Sequence, residues 1–426
     1  MRQSETVRKY DTYKDSGIEW IGEIPQDWGL TRLKQHYQFE KGKDAALYTN
    51  EYIGFNEGDY PVYSGQTENN GIMGKVNNYD YDEPICVFTT TVGAKVMSPK
   101  ILSGKFCLSQ NCLIMKKFGT IDERFLYYQL LPLFDYEKSL IPSYMQPSLR
   151  ISDLKRYVII SCDEQQQIAD YLDKKCGEID KVVETEKSVI EKLKEYKQSI
   201  ITEAVTKGLD KSVPLKDSNI EWIGKIPQHW DVLSLARITN IVRGASPRPA
   251  GAPMYFCGNF CPWITVAEVT KDDSKYIFET EEYLTELGVQ HSKLIDENTF
   301  LLSNSGATLG VPKITKIKGC INDGSLAFLD ISCNMDYLYY VLKSRTNEFR
   351  KQMQGYGQPN LNTTIVKAFK ICLPSTNEQI QIAEYLDKKC SEIDKAIANK
   401  EQVIEKFTEY KKSLIYECVT GKRKVV

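Results

Sequence analysis

Long apolar runs are missing from this chain. No stretch approaches the ~18 residues needed to cross a bilayer, and the first residues, MRQSETVRKYDTYK, are polar throughout. Neither a membrane span nor an export signal is expected, and a cytoplasmic protein is. Histidine is scarce, at three residues (His36, His229 and His291), and only Cys257 and Cys261 stand close enough to suggest a ligand pair. A structural metal is therefore not expected. The twelve cysteines are scattered, which fits reduced thiols better than a disulfide framework. Excess charge is absent too: 55 Lys+Arg against 57 Asp+Glu, a formal charge of −2, excludes a blanket polycation.

Motifs for chemistry are equally wanting. Ser103-Gly104-Lys105 lacks the spaced upstream glycine of a phosphate loop. There is no G-x-G-x-x-G after a strand, no H-E-x-x-H and no G-x-S-x-G. Nor does the Asn-Pro-Pro-aromatic motif that holds a flipped base in amino-methyltransferases occur. No catalytic residue is assigned, and the chain is not expected to be an enzyme on its own.

What is present is one sequence written twice. Asp15–Trp28 (DSGIEWIGEIPQDW) returns as Asp217–Trp230 (DSNIEWIGKIPQHW), with 11 of 14 positions identical at an offset of 202. Glu164–Thr206 returns as Glu378–Thr420, with 27 of 43 identical at an offset of 214. Between these blocks identity collapses, but Gly93 matches Gly306, Cys107 matches Cys320, and Tyr-x-Gln-Pro-x-Leu occurs at Tyr144–Leu149 and Tyr356–Leu361. A tandem duplication explains the pattern.

The matching blocks read as long helices. Ile168, Leu172, Ile179, Val182, Val189, Leu193, Tyr196 and Ile200 fall at spacings of 3, 4 and 7, an apolar seam of coiled-coil type. Ile382, Leu386, Ile393, Val403, Phe407 and Ile415 repeat it. At 1.5 Å per residue each helix reaches on the order of 60 Å. The spacing alone allows parallel or antiparallel pairing; duplication favours an antiparallel pair with an approximate twofold axis. The expected fold is mixed α/β (α+β): two globular domains at opposite ends of two long antiparallel helices. The divisions are 1–29 (shared head motif), 30–162 (first domain), 163–207 (central helix), 208–230 (linker and repeated head), 231–373 (second domain), 374–420 (second helix) and 421–426 (basic tail).

Charge is segregated. Asp163–Thr206 carries seven basic against eleven acidic residues, whereas Leu30–Ile160 and Asp231–Leu373 each carry 15 basic against 14 acidic. Acidic helices repel a phosphate backbone and suit protein docking, so nucleic acid would meet the globular parts through local patches.

The duplicated D-S-x-I-E-W-I-G-x-I-P-x-x-W heads, the E-Q-x-Q-I-A-x-Y-L-D-x-K helix starts and the helix end L-K-E-Y-K-Q-S-I-I-T-E-A-V-T-K-G-L with its second copy resemble the specificity subunits of Type I restriction–modification enzymes. The resemblance covers essentially the whole chain. It implies two target recognition domains, each reading one half of a bipartite, asymmetric site on double-stranded DNA, with the helices setting the spacing. It implies docking of methyltransferase (modification) subunits, two of them, and of restriction/translocase subunits. S-adenosylmethionine, ATP and Mg2+ would sit on those partners and none on this chain. The alternative is a coiled-coil scaffold with two ligand-binding domains and no sequence-specific DNA role.

Base reading needs Arg or Lys for guanine and Asn or Gln for adenine. In the second domain the loop Arg243-Gly244-Ala245-Ser246-Pro247-Arg248 offers two guanidinium groups, making Arg243, Ser246 and Arg248 candidates. Ser303, Asn304, Ser305 and Thr308 follow a strand, as Thr91 and Lys95 do in the first domain. Tyr144, Gln146, Tyr356 and Gln358 belong to a motif shared by both domains, which fits backbone positioning better than discrimination. Asn360 and Asn362, with Ser148 and Arg150 in their places in the first domain, are better placed to discriminate. Lys41, Tyr63, Gln66, Gln110 and Asn111 complete the candidates by residue type and loop position. Trp20, Trp28, Trp222 and Trp230 are expected to pack at the head junction, and Cys176 and Cys390 to be buried thiols.

Overall fold

A computed structural model describes residues 8–66, 68–93, 95–306, 309–346, 349 and 361–425. The chain divides into two units, one comprising Met1–Lys187 with Glu401–Val426, the other Ser188–Lys400. Two helices, Gln165–Lys207 and Thr376–Val419, each contribute part of their length to both units. Among the described residues no helix is long and apolar enough to cross a membrane.

The first unit is built on a six-stranded sheet. Tyr37–Lys41 lies at one edge, followed by Cys112–Lys117, Tyr81–Thr90, Lys100–Leu108, Glu57–Tyr63 and Ile72–Val76. Its flanking helix Glu123–Ser139 starts where the Asp122 carboxylate accepts hydrogen bonds from the backbone N–H groups of Arg124 and Phe125. Phe125, Leu126, Leu130 and Phe134 then face a core shared with Ile168, Leu172, Cys176 and Ile179 of one long helix and Leu414, Ile415 and Val419 of the other.

The second unit has a five-stranded sheet ordered Asn240–Arg243, Ser325–Leu329, Phe300–Ser303, Pro312–Thr315 and Tyr276–Ile277. A four-stranded sheet of Tyr283–Leu284, Cys261–Ile264, Gly319–Ile321 and Lys293–Ile295 accompanies it. The flanking helix Met335–Lys343 is capped by Asn334 and packs its tyrosines and leucines on Ile200, Ile201, Ile382, Leu386, Cys390 and Ile393.

Within each unit the helix segments run antiparallel. In the first, Tyr171 bonds Arg423 while Asp180 pairs with Lys411 at 2.7 Å. In the second, the repeat-related pair Lys197–Asp394 closes at 2.7 Å. Ile168, Leu172, Ile179, Ile200, Ile382, Leu386, Ile393 and Ile415 are buried as expected, and Val189, Leu193, Val403 and Phe407 half-buried. Val182 and Tyr196, counted into the seam from spacing, are exposed; Ile190 and Ile201 are buried instead. Cys176 and Cys390 are buried, and burial pushes both thiols up in pKa, Cys176 to about 11.

Each head motif ties the start of one helix to the end of the other. Tyr10 O–H donates to Glu164, and Tyr13 O–H donates to Gly421 O at 3.0 Å. In the second unit Trp230 Nε1 donates to Glu378 at 3.3 Å, and the same indole lies against Gly208. Trp20, Trp28 and Trp230 are buried; Trp222 stacks on Phe369 at 4.8 Å, with the Arg345 guanidinium over its ring. Gly208 and Gly421 both end a long helix at φ +73°, a conformation that suits glycine. A Cβ at Gly421 would stand 2.3 Å from Pro25 Cδ. Gly421→Ala is expected to destabilise the first unit by about 2 kcal/mol, from left-handed strain plus the clash. Hydrogen exchange of the Val419 and Ile24 amides would show it, and unchanged protection would contradict it.

Candidate nucleic-acid interface

The two units place a basic residue, then a glycine, at the same point of the fold. Tyr37–Lys41 ends at Lys41 and Asn240–Arg243 at Arg243, 202 positions on. The next residue runs against a neighbouring loop so closely that a Cβ on Gly42 would lie 2.4 Å from Leu108 O, and one on Gly244 2.0 Å from Asn322 O. Glycine is required at both positions because no side chain fits.

Two further backbone bonds repeat beside each glycine. Thr91 N–H donates to Asn111 O and Thr91 O accepts from Leu149 N–H, both at 2.8 Å. In the second unit Asn304 N–H donates to Gly324 O at 3.0 Å and Asn304 O accepts from Leu361 N–H at 2.7 Å. The shared Tyr-x-Gln-Pro-x-Leu motif thus has a structural half: its leucines, Leu149 and Leu361, are buried and hydrogen-bonded to the strand-end loop.

On this frame the first unit builds a cleft of about 540 Å³ lined by Lys41, Thr91, Gln110, Asn111, Ser148 and Arg150 among others. Lys41, Gln110, Asn111 and Arg150 are exposed. Arg150 leads into the short helix Ile151–Leu154, its N–H bonded to Asp153 Oδ2 at 2.9 Å, which leaves the guanidinium out of the cap. Neither Lys41 nor Arg150 forms an ion pair with any described residue. Two unneutralised cations beside two side-chain amides give a surface suited to phosphates and base edges.

The second unit arranges the corresponding loop around a carboxylate. Asp323 O accepts from Arg243 Nε at 2.9 Å, Asp323 Oδ1 from Ser246 Oγ at 2.6 Å, and Asp323 Oδ2 from Arg248 Nη2 at 3.2 Å. The Ser246 hydrogen bond holds the Asp323 carboxyl below its usual range; burial opposes this, and the two arginines reinforce it. Arg243, Ser246 and Arg248 are therefore brought together, by a residue that motif reading misses. The available signal is positional: Asp323 stands 213 residues after Gln110, the same offset that relates Cys107 to Cys320.

The other candidates among the described residues are buried, engaged within the fold or placed outside this cleft. Tyr63 is half-buried and packs against the core, its ring 6.0 and 5.9 Å from those of Phe88 and Phe106. Ser303 and Asn304 are fully buried and Thr91 nearly so, because the strand-end loop is pinned on both sides by the backbone bonds described above. Ser305 is half-buried beside Gly324. Asn362 caps the helix Thr363–Ala368, its Oδ1 accepting from Ile365 N–H at 2.9 Å, so that oxygen already serves the fold. Gln66 braces a hairpin through Ile72 O at 2.8 Å, and Lys95 is exposed outside the cleft. Tyr144 is 86% exposed, and Gln146 lies on the same exposed loop. Thr308, Tyr356, Gln358 and Asn360 lie outside the described residues.

Comparison with known proteins bears on what such paired frames serve. The family described as "Type I restriction modification DNA specificity domain" matches residues 25–195 and again 227–406. The chain is 25% identical over 426 residues to the Type I restriction enzyme MjaVIII specificity subunit of Methanocaldococcus jannaschii, covering 94% of each. It is 31% identical over 193 residues to the MjaIX specificity subunit of the same organism, covering 43% of each. Its fold is similar to that of a chain solved in a study of complex assembly and conformational transition of the type I R-M system. That chain is 14% identical, with a TM-score of 0.69, over 93% of this chain and 98% of the other.

Proposed function

Since the chain belongs to the Type I restriction modification DNA specificity family and is a DNA target-recognition subunit, we propose that its two units read the two unlike halves of one interrupted sequence on double-stranded DNA. One observation carries this reading. The backbone frame of the interface repeats, whereas its side chains do not: Lys41, Gln110 and Arg150 stand where the second unit has Arg243, Asp323 and Asn362. A constant frame suits phosphate positioning, and changed side chains suit different base edges.

In this reading the acidic long helices set the spacing and dock two methyltransferase subunits, which restriction/translocase subunits join. S-adenosylmethionine for adenine methylation, and ATP with Mg2+ for restriction, belong to those partners. This chain supplies recognition without catalysis, in the cytoplasm.

Single-molecule methylation sequencing of cells with and without the chain tests this. A two-part methylated adenine motif is expected only with the chain present. Grafting Asp231–Leu373 into a relative is expected to transfer one half of that motif and leave the other. An unchanged methylome in both experiments would overturn the reading.

A further inference from the structure

Each flanking helix is fastened to a long helix at two points of the same design. In the first unit the Gln165 side chain accepts from Asp122 N–H at 2.8 Å, and eight residues along Asp173 accepts from Tyr128 O–H at 2.7 Å. In the second unit Gln379 accepts from Asn334 N–H at 2.7 Å, and Asp387 from Tyr340 O–H at 2.6 Å. These partners are related by the repeat. The cation that completes the second point is not.

In the first unit that cation is Arg124, on the flanking helix, whose Nη1 lies 2.7 Å from Asp170 and 2.8 Å from Asp173. The position 212 residues on is Asp336, a charge of opposite sign. Lys275, from the divergent part of the domain, takes over instead. Its Nζ lies 2.7 Å from Asp336 and 2.8 Å from Asp387, with the rings of Tyr276, Tyr339 and Tyr340 at 5.5, 5.5 and 5.2 Å. The side chain is only 10% exposed. Without the lysine, two carboxylates bound to one ammonium would face each other, and attachment would turn to repulsion at that point.

We propose that Lys275 is a positioning residue for recognition of the second half-site. It plugs the domain into a fixed acidic socket on the long helix and so sets the pose in which the domain meets DNA. The inference rests on the reading of the chain as a bipartite DNA reader. A corollary is that each interchangeable recognition domain must bring its own cation, since the socket carboxylates Asp173 and Asp387 belong to the repeated helix and the cation does not.

The test uses the full chain with its methyltransferase partners on the cognate duplex and on duplexes whose spacer is one base pair longer or shorter. Lys275→Met is expected to weaken cognate binding about tenfold and to flatten the preference for spacer length. Adding D336R, which puts a guanidinium where Arg124 stands and opposite Glu384 and Asp387, is expected to restore both. A Lys275→Met chain with the wild-type spacer profile overturns the proposal. So does a double variant that regains the wild-type melting temperature without regaining spacer preference, since the lysine would then only support the fold. A wild-type chain indifferent to spacer length overturns the bipartite reading itself.

Discussion

Reversing Lys41 and Arg150 together to glutamate is expected to lower affinity for the cognate duplex by about a thousandfold at low salt, the loss falling on one half-site. Each cation in the first cleft is exposed and free of ion pairs with described residues, so neither contributes an internal interaction that the change would break. A base-edge or phosphate contact from such a side chain contributes roughly 1–3 kcal/mol, and reversal adds repulsion of phosphate to the loss. The dependence of log affinity on log salt should fall by about two units, one per phosphate-facing cation. Folding should be untouched. An acidic side chain in place of Arg150, at the start of Ile151–Leu154, would suit the helix dipole, and the Arg150 N–H bond to Asp153 comes from the backbone. Titration of the assembled complex over a range of salt, with circular dichroism as the folding check, decides it. Unchanged affinity at low salt, or equal loss at both half-sites, would remove this cleft from the interface.

The contrast between the cleft of the first unit and the Asp323 loop of the second shows what residue type can and cannot reveal. Lys41, Gln110, Asn111 and Arg150 stand out by chemistry and loop position, and they converge in one cleft. Their convergence follows from the sheet: Lys41 pairs with Leu113, and Thr91 bonds Asn111 at the turn before the same strand. Ser303 and Asn304 have equally suitable chemistry but are buried, because burial depends on tertiary contacts, and here Gly324 O and Leu361 N–H clasp the Asn304 backbone from two sides. Asp323 escapes a reading by residue type for a related reason. An aspartate reads as hostile to DNA until its carboxylate is seen holding Ser246 and Arg248 and its main-chain carbonyl Arg243.

The helices show the same boundary between local and tertiary information. Their extent is legible to within two residues from the repeat and from the absence of proline. The seam is legible only in part. A spacing of 3, 4 and 7 assumes the 3.5-residue coiled-coil period, and an α-helix of 3.6 residues per turn drifts off it. Drift puts Val182 and Tyr196 outside and brings Ile190 and Ile201 in. The long helices also share their buried faces with the flanking helices of each unit, a partner that no heptad pattern encodes.

Asp272→Ala is expected to destabilise the second unit by about 3 kcal/mol, whereas Lys313→Met should cost little or even stabilise it. Lys313 lies on the strand Pro312–Thr315 with its side chain 2% exposed, and its Nζ is held by Asp272 O at 3.0 Å and by the Asp272 carboxylate. Removing the acid leaves an ammonium buried without its counter-charge. Removing the lysine leaves an acid that is 60% exposed and can hydrate. That exposure also lets water approach the pair, which keeps the expected cost at the lower end for a broken buried ion pair. The lysine's hydrogen bond holds Asp272 below its usual pKa, against a smaller opposing effect of burial. A carboxylate depressed by folding stabilises fully above its unfolded pKa of about 3.9. That contribution disappears as pH falls through the lower folded value, so the wild-type unit should lose stability below about pH 4 in a step that is smaller in the Lys313→Met chain, where only the Ser274 N–H still holds the carboxylate. Hydrogen exchange of the Ile314 and Thr315 amides, followed from pH 7 to pH 3 in the full chain and both variants, separates the cases. A Lys313→Met chain as poorly protected at neutral pH as Asp272→Ala would mean that the strand depends on the ammonium itself, against the burial argument.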